Sequence, residues 1–150
     1  EEDVPNDRFL VIFIFGGIMG NLVSLFFYSP AEVFVGASGA IFTIMGVAMI
    51  KKPFELIFFP AVVPIPLLFV GIVYTLYTVM AFLVGGDPNI AYTAHLAGLG
   101  IGALIGFYEV GVKKSLFLIA LIIISIIFIL PIILTIIGIF DYTGAISSLF

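Results

Sequence analysis

A serine and a histidine are the two residues of this 150-residue chain whose types could carry out chemistry together. Ser38 lies in GASGAIF near the start of a short apolar segment, and His95, the single histidine, lies in AYTAHLAGLGIG. A serine hydroxyl becomes a useful nucleophile when a neighbouring base accepts its proton, and a neutral imidazole is the most common such base. The two residue types therefore predict attack on a carbonyl carbon, provided that the fold brings them together.

The composition indicates an integral membrane protein. Hydrophobic residues make up 63% of the chain and charged residues only 9%, whereas soluble domains carry about 25% charged residues. The chain has no cysteine, which excludes a disulfide framework and a thiolate metal site. One histidine and nine scattered carboxylates predict no metal site, and no basic patch suggests a nucleic-acid partner. We expect no cofactor, because hydrolysis by serine and histidine requires only water.

Four apolar segments are long enough to cross a bilayer, which takes about 20 residues. They comprise residues 9–28, 67–84, 90–108 and 115–140, and the last contains Pro131, where we expect a kink. A fifth apolar segment, residues 36–50, reaches only about 22 Å as a helix, less than the hydrocarbon thickness of about 30 Å. Whether this short segment crosses the membrane decides the topology.

The basic residues favour a topology in which residues 36–50 do cross. The chain has five of them: Arg8, Lys51, Lys52, Lys113 and Lys114. All five fall on one side of the membrane if the short segment counts as a span, and they scatter over both sides if it does not. The positive-inside rule makes that one side cytoplasmic. The sequence therefore predicts an all-α, polytopic transmembrane bundle with five helices in this chain.

This topology brings Ser38 and His95 to comparable depths. One span, residues 67–84, lies between the serine helix and the histidine helix, so both run from outside to inside with these residues near their outer ends. Ser38 then lies below the outer surface, at the amino end of a helix, beside a water pocket. Small residues on both helices predict close packing; they are Gly39 and Gly46 on one helix and Gly98 and Gly102 on the other.

The chemistry of peptide hydrolysis also requires donors for the developing oxyanion. Backbone amides around Gly36, Ala37 and Ser38, at the amino end of a helix, can supply some of them. Asp87 and Glu109 flank the histidine helix at other depths, so the sequence predicts a serine–histidine dyad without an orienting carboxylate.

Each of these residues also fits a purely structural role. A serine among glycines is common at helix contacts, and a membrane histidine can hydrogen-bond a carbonyl. Asn21 and Ser24, within the first span, are expected to form hydrogen bonds between helices. The combination of a submerged serine, a histidine at equal depth and small residues on both helices favours a site.

Two motifs in this order resemble those of the rhomboid family. GASGAIFTIMG is similar to the GxSG motif of the rhomboid serine helix, and AHLAGLGIG to the AHxxGxxxG of the later histidine helix. RFLVIFIFGGIMGNLVSLF resembles the helix that precedes the serine helix. The resemblance covers most of residues 8–108, and it implies an intramembrane serine protease with Ser38 as nucleophile, His95 as general base and the amides of Gly36, Ala37 and Ser38 in the oxyanion hole.

The chain departs from the rhomboid pattern in two respects. Rhomboid cores have two further helices at the front, the second with an HxxxN motif, and this chain has only one histidine. The start EEDVPNDRF resembles the loop after that helix, so an amino-terminal helical segment is expected to be truncated or supplied separately. Many members also have a tyrosine one turn after the serine, against which the histidine packs, and here Phe42 takes that position.

The resemblance divides the chain into residues 1–114, a rhomboid-like catalytic core without its first two helices, and residues 115–150, an additional carboxy-terminal transmembrane helix and tail. The expected partners are a transmembrane protein substrate and the lipid bilayer. The expected location is the plasma membrane, with Lys51, Lys52, Lys113 and Lys114 cytoplasmic. Two alternatives stay open: a catalytically inactive relative that binds membrane clients, and a small transporter subunit that uses His95 as a proton relay.

Overall fold

The computed structural model describes residues 5–29, 32, 34, 36–59 and 63–147. In chain order its elements are α1 (Asn6–Ser24), α2 (Ser38–Lys51), β1 (Leu56–Phe59), β2 (Val63–Pro66), α3 (Leu67–Val84), α4 (Tyr92–Val110) and α5 (Val112–Ser147). Helices α1, α3 and α4 are long and apolar enough to cross a membrane, and α2 is a shorter apolar helix. The predicted all-α class with five helices is confirmed.

The chain divides into two compact units, Glu1–Ser115 and Leu116–Phe150. The first unit holds α1 to α4 and the two strands. The second consists of the greater part of α5, which contains Pro131 within the helix. The assignment of residues 1–114 to a catalytic core and of 115–150 to an added helix stays a prediction, because compactness alone does not assign function.

The carboxyl end of α1 differs from the prediction. The first span was expected to extend to Tyr28, but the helix ends at Ser24. Beyond it the backbone forms turns with hydrogen bonds between residues three apart instead of four. Phe26 N donates to Val23 O at 3.1 Å, and Phe27 N donates to Ser24 O at 2.9 Å. Apolar composition does not reveal where a backbone changes from α-helical bonds to turns, because the side chains stay equally apolar.

A small antiparallel hairpin between α2 and α3 was not predicted. Strands β1 and β2 pair from Leu56 opposite Pro66 to Phe59 opposite Val63. Prolines normally argue against strands because they cannot donate a ladder hydrogen bond, but both strands of a two-stranded ladder are edge strands, where proline is tolerated. The three prolines of this region therefore hid an element that the sequence reading treated only as the approach to α3.

Helices α2 and α4 pack backbone to backbone along their whole length. A β-carbon at Gly98 would overlap the carbonyl oxygen of Gly39, and one at Gly102 would overlap the carbonyl oxygen of Thr43. One turn further, a β-carbon at Gly106 would come within 2.7 Å of the Ile50 side chain. The residue numbers of the contacting positions increase together along both helices, so the prediction that these helices run in the same direction is confirmed.

Helix α1 packs against both of them near its carboxyl end. Thr93 Oγ1 of α4 donates a hydrogen bond to Ser24 Oγ at 3.1 Å, and Ser24 Oγ donates to the carbonyl of Gly20 at 3.1 Å. Ser24 and Thr93 are both buried. The prediction that Ser24 joins two helices by a hydrogen bond is confirmed, and the three helices meet at this level.

Charged side chains gather at the opposite end of these helices. Glu109 of α4 lies with its two carboxylate oxygens 2.5 Å from Arg8 Nη2 and 2.8 Å from Lys51 Nζ, and its side chain is only 10% exposed. The ammonium of Lys114 donates to the carbonyl of Lys51 at 3.0 Å. We call Arg8, Lys51, Glu109 and Lys114 the charged end. It brings together three of the five basic residues that the topology placed on one side.

We expect Glu109→Gln to lower the free energy of unfolding in detergent by about 2 kcal/mol, because it removes charge-assisted contacts from two cations at a nearly buried position. The measurement is thermal denaturation of the purified chain. The matched control is Glu55→Gln, since Glu55 meets Lys52 at 3.3 Å but both side chains are about half exposed, and such pairs contribute at most about 1 kcal/mol. Equal shifts for the two variants would show that the charged end does not stabilise the bundle.

Candidate active site

Ser38 and His95 line one cavity of about 250 Å³. The wall also includes Gly36 and Gly39 beside the serine and Ala94 beside the histidine. We call this space the site cavity. It lies at the end of α2 opposite to Lys51, and therefore away from the charged end. The two residues whose types suggested chemistry thus share one wall, although 57 positions of sequence separate them (95 − 38).

The amino end of α2 positions the serine. Ser38 is the first residue of the helix, Ala37 is its N-cap, and the first helical hydrogen bond runs from Ile41 N to Ala37 O at 3.0 Å. The N–H groups of the first helical residues have no carbonyl of their own helix to bind, and the helix dipole makes this end attractive to negative charge. A β-carbon at Gly36 would lie 3.7 Å from Ser38 Oγ, so glycine keeps that side of the hydroxyl open.

Two aromatic rings hold the imidazole of His95. The ring of Phe42 stacks on it with 4.4 Å between centroids and 6° between planes, and Tyr92 meets it edge-on at 6.3 Å. Phe42 lies four residues after Ser38, so the two side chains share one face of α2. The imidazole therefore lies alongside the first turn of the serine helix. Tyr74 of α3 supports Phe42 from its edge, at 6.0 Å.

The glycines predicted to pack the two helices begin at the wall of the site cavity, with Gly39, and continue along α2 and α4. A β-carbon at Gly39 would lie 3.4 Å from the Ala94 carbonyl oxygen, and one at Gly98 would overlap the Gly39 carbonyl oxygen. Further along, Gly46 would bring a β-carbon to 2.8 Å from Ala103 N. These contacts set how far apart the serine and histidine backbones can be.

No carboxylate orients the histidine among the residues that the structure describes. Asp87 Oδ1 accepts hydrogen bonds from Asn89 N and Asn89 Nδ2, both at 2.9 Å, and Glu109 belongs to the charged end. Within the same described set, no hydrogen bond joins Ser38 to His95. Catalytic hydrogen bonds are often long without substrate and shorten when it binds, so the arrangement fits a dyad whose final contact forms in the complex.

Asn21 is the residue whose position the sequence reading missed. It was expected to form a hydrogen bond between helices, and in the described part of the chain its side chain forms none; it lines the site cavity instead. The prediction for Asn21 is therefore wrong. The available signal was a polar amide three residues before Ser24 in an apolar span, at the same end of the bundle as Ser38. Helix α1 carries apolar side chains on all sides, so the periodicity of its sequence did not reveal which way Asn21 faces.

Across residues 5–29, 32, 34, 36–59 and 63–147, no three His, Cys, Asp or Glu side chains come together as metal ligands would.

Comparison with known families assigns the chain on most of its length. Residues 1–112 match a family model described as the Rhomboid domain. No curated protein and no solved structure gave a significant match. The matched region contains α1 to α4, the hairpin and both residues of the site cavity that suggested chemistry. On this match the chain is a membrane protein that belongs to the rhomboid family.

Proposed function

We propose that this protein is an intramembrane serine protease that hydrolyses peptide bonds in or near the transmembrane segments of other membrane proteins. The observation that carries the proposal is the shared wall of the site cavity, where Ser38 opens a helix and His95 lies alongside its first turn. A nucleophile, a base and free backbone donors then adjoin one space of about 250 Å³. These are the groups that acyl transfer to a serine requires.

In the proposed mechanism, Ser38 Oγ forms a bond to the carbonyl carbon of the substrate while its proton passes to His95. The carbonyl oxygen becomes an oxyanion near the N–H groups at the amino end of α2. The carbon–nitrogen bond then breaks, and the leaving amine takes the proton from His95. Water attacks the resulting ester, gives its proton to His95 and releases the carboxylic acid product, and the proton returns to Ser38.

The length of α2 supports a site below the membrane surface. Its 14 residues span about 21 Å, whereas the hydrocarbon layer is about 30 Å thick. With Lys51 and the charged end at the cytoplasmic boundary, as the positive-inside rule favours, Ser38 lies in the outer half of the bilayer. We propose the plasma membrane as the location and a transmembrane protein as the substrate, since such a substrate can present backbone at that depth.

The experiment that tests the proposal is labelling of the purified chain in detergent with a fluorescent fluorophosphonate. In this reaction a bond forms between Ser38 Oγ and phosphorus, the phosphorus–fluorine bond breaks, and fluoride leaves while His95 accepts the serine proton. We expect covalent labelling that Ser38→Ala abolishes. Ser29→Ala is the matched control, since Ser29 lies outside α2 and is exposed. Labelling that survives in Ser38→Ala would overturn the assignment of the nucleophile.

The second candidate function is that of a relative that binds membrane clients without cleaving them. For such a protein, we expect no fluorophosphonate labelling above that of Ser38→Ala, together with retention of a transmembrane client on the immobilised chain. Labelling specific to Ser38 decides for the protease.

A further inference from the structure

Asn21 of α1 is a third polar side chain on the wall of the site cavity, and it precedes both Ser38 and His95 in the chain. It comes from a helix that the serine–histidine chemistry does not otherwise use. Its carboxamide carries two N–H donors and one acceptor oxygen. In the part of the chain that the structure describes, none of these groups forms a hydrogen bond with another residue.

Backbone contacts fix Asn21 at the depth of the reacting groups. A β-carbon at Gly20 would lie 3.0 Å from the Ala94 carbonyl oxygen, and one at Gly39 would lie 3.4 Å from the same atom. Gly20, Ala94 and Gly39 therefore meet at one junction of α1, α4 and α2. Each is the immediate neighbour of one residue on the cavity wall, namely Asn21, His95 and Ser38.

Contacts on either side of that junction hold α1 in place. Toward the outer end, Thr93 donates to Ser24 at 3.1 Å. Toward the inner end, a β-carbon at Gly17 would lie 3.2 Å from the Ala40 side chain. Asn21 lies between these two contacts, so its position along and around α1 is set by packing rather than by a flexible loop.

An unpaired amide within an apolar span is costly, because polar groups lose their hydrogen bonds to water when they enter hydrocarbon. The cost is offset if the side chain faces a polar cavity and has a partner there during the reaction. A carboxamide has no titrating proton, so it neither competes with His95 as a base nor carries a charge of its own. What it can offer to a reacting carbonyl is an N–H donor, and side-chain amides serve as such donors in oxyanion holes.

We propose that the side-chain amide of Asn21 donates a hydrogen bond to the oxyanion that forms when Ser38 attacks a carbonyl or phosphonyl group. The proposal rests on the proposed protease function. Backbone N–H groups at the amino end of α2 approach the oxyanion from the serine side, and Asn21 approaches it from α1. In this arrangement Asn21 is a catalytic residue, because it contacts the reacting oxygen.

The test measures fluorophosphonate labelling of the purified chain over a range of probe concentrations, which separates the limiting rate from the probe affinity. We expect Asn21→Leu, which keeps the number and branching of the side-chain heavy atoms, and Asn21→Ala to lower the limiting rate by about 10²-fold. The probe affinity should stay the same, since the hydrogen bond strengthens only as charge develops on the oxygen. A residue with only a packing role would alter the melting temperature and leave the limiting rate of the folded protein unchanged.

Asn89 provides the matched control within the same cavity wall. It is also an asparagine, but its Nδ2 already donates to Asp87 Oδ1 at 2.9 Å. Asn89→Ala should therefore lower the limiting rate far less than Asn21→Ala does. Equal rates in the unmodified chain, Asn21→Leu and Asn21→Ala would overturn the role of Asn21 and leave the protease proposal intact. An unmodified chain that is labelled no more than Ser38→Ala would overturn both proposals.

Discussion

Replacing His95 with alanine is expected to lower the rate of Ser38 labelling, and of any peptide hydrolysis, by about 10³-fold or more. The serine hydroxyl would lose the only imidazole in the chain, and no carboxylate among the described residues lies beside His95 to act in its place. The oxyanion donors at the amino end of α2 would remain, so a small residual rate is expected above that of Ser38→Ala. The measurement is the labelling rate as a function of time with a fluorescent fluorophosphonate.

The fold should survive this change. The stacked contact of His95 with Phe42 is worth about 1 kcal/mol, which is small beside the backbone packing of α2 on α4. The matched control is Thr93→Val on the same turn of α4, which removes the hydrogen bond to Ser24 but no group on the wall of the site cavity. It should lower the melting temperature, and it should reduce the labelling rate far less than His95→Ala does. Retained labelling in folded His95→Ala would contradict the role of His95 as the base.

The sequence predicted the helices of the first unit well where charge and length constrained them. The short helix was inferred from the distribution of five basic residues, and α2 is found at Ser38–Lys51. The segment 67–84 is found as α3. Glycine spacing predicted the contact between the serine and histidine helices, because only small residues allow backbones to approach so closely.

What the sequence did not predict depends on rotation and on local backbone geometry. Helix α1 carries apolar side chains on all sides, so its sequence has no polar face that would indicate its rotation. The contacts of Gly17 and Gly20 with the neighbouring helices set that rotation, and with it the position of Asn21 on the cavity wall. The hairpin Leu56–Pro66 was hidden because its prolines argue against strands. Both cases concern information that resides in the neighbours of a segment rather than in the segment itself.

Replacing Gly102 with alanine is expected to abolish most of the activity although this residue is far from the reacting groups. Gly102 lies seven residues after His95, about 10 Å along the helix. A β-carbon there would overlap the carbonyl oxygen of Thr43, and because both partners are backbone, neither can move aside alone. The helices would have to separate near this point, and a misplacement of about 1 Å between catalytic groups can cost about 10²-fold in rate.

Gly100→Ala is the matched control for Gly102→Ala. It makes the same chemical change two positions earlier on the same helix, where the residue is exposed and a β-carbon would meet nothing within 4 Å. We expect Gly100→Ala to keep both the melting temperature and the labelling rate, and Gly102→Ala to lower both. If the two variants behaved alike, the close approach of α2 and α4 would not be what aligns Ser38 with His95. A loss confined to Gly102→Ala would instead show that small residues deep in the bundle set the geometry of the site cavity.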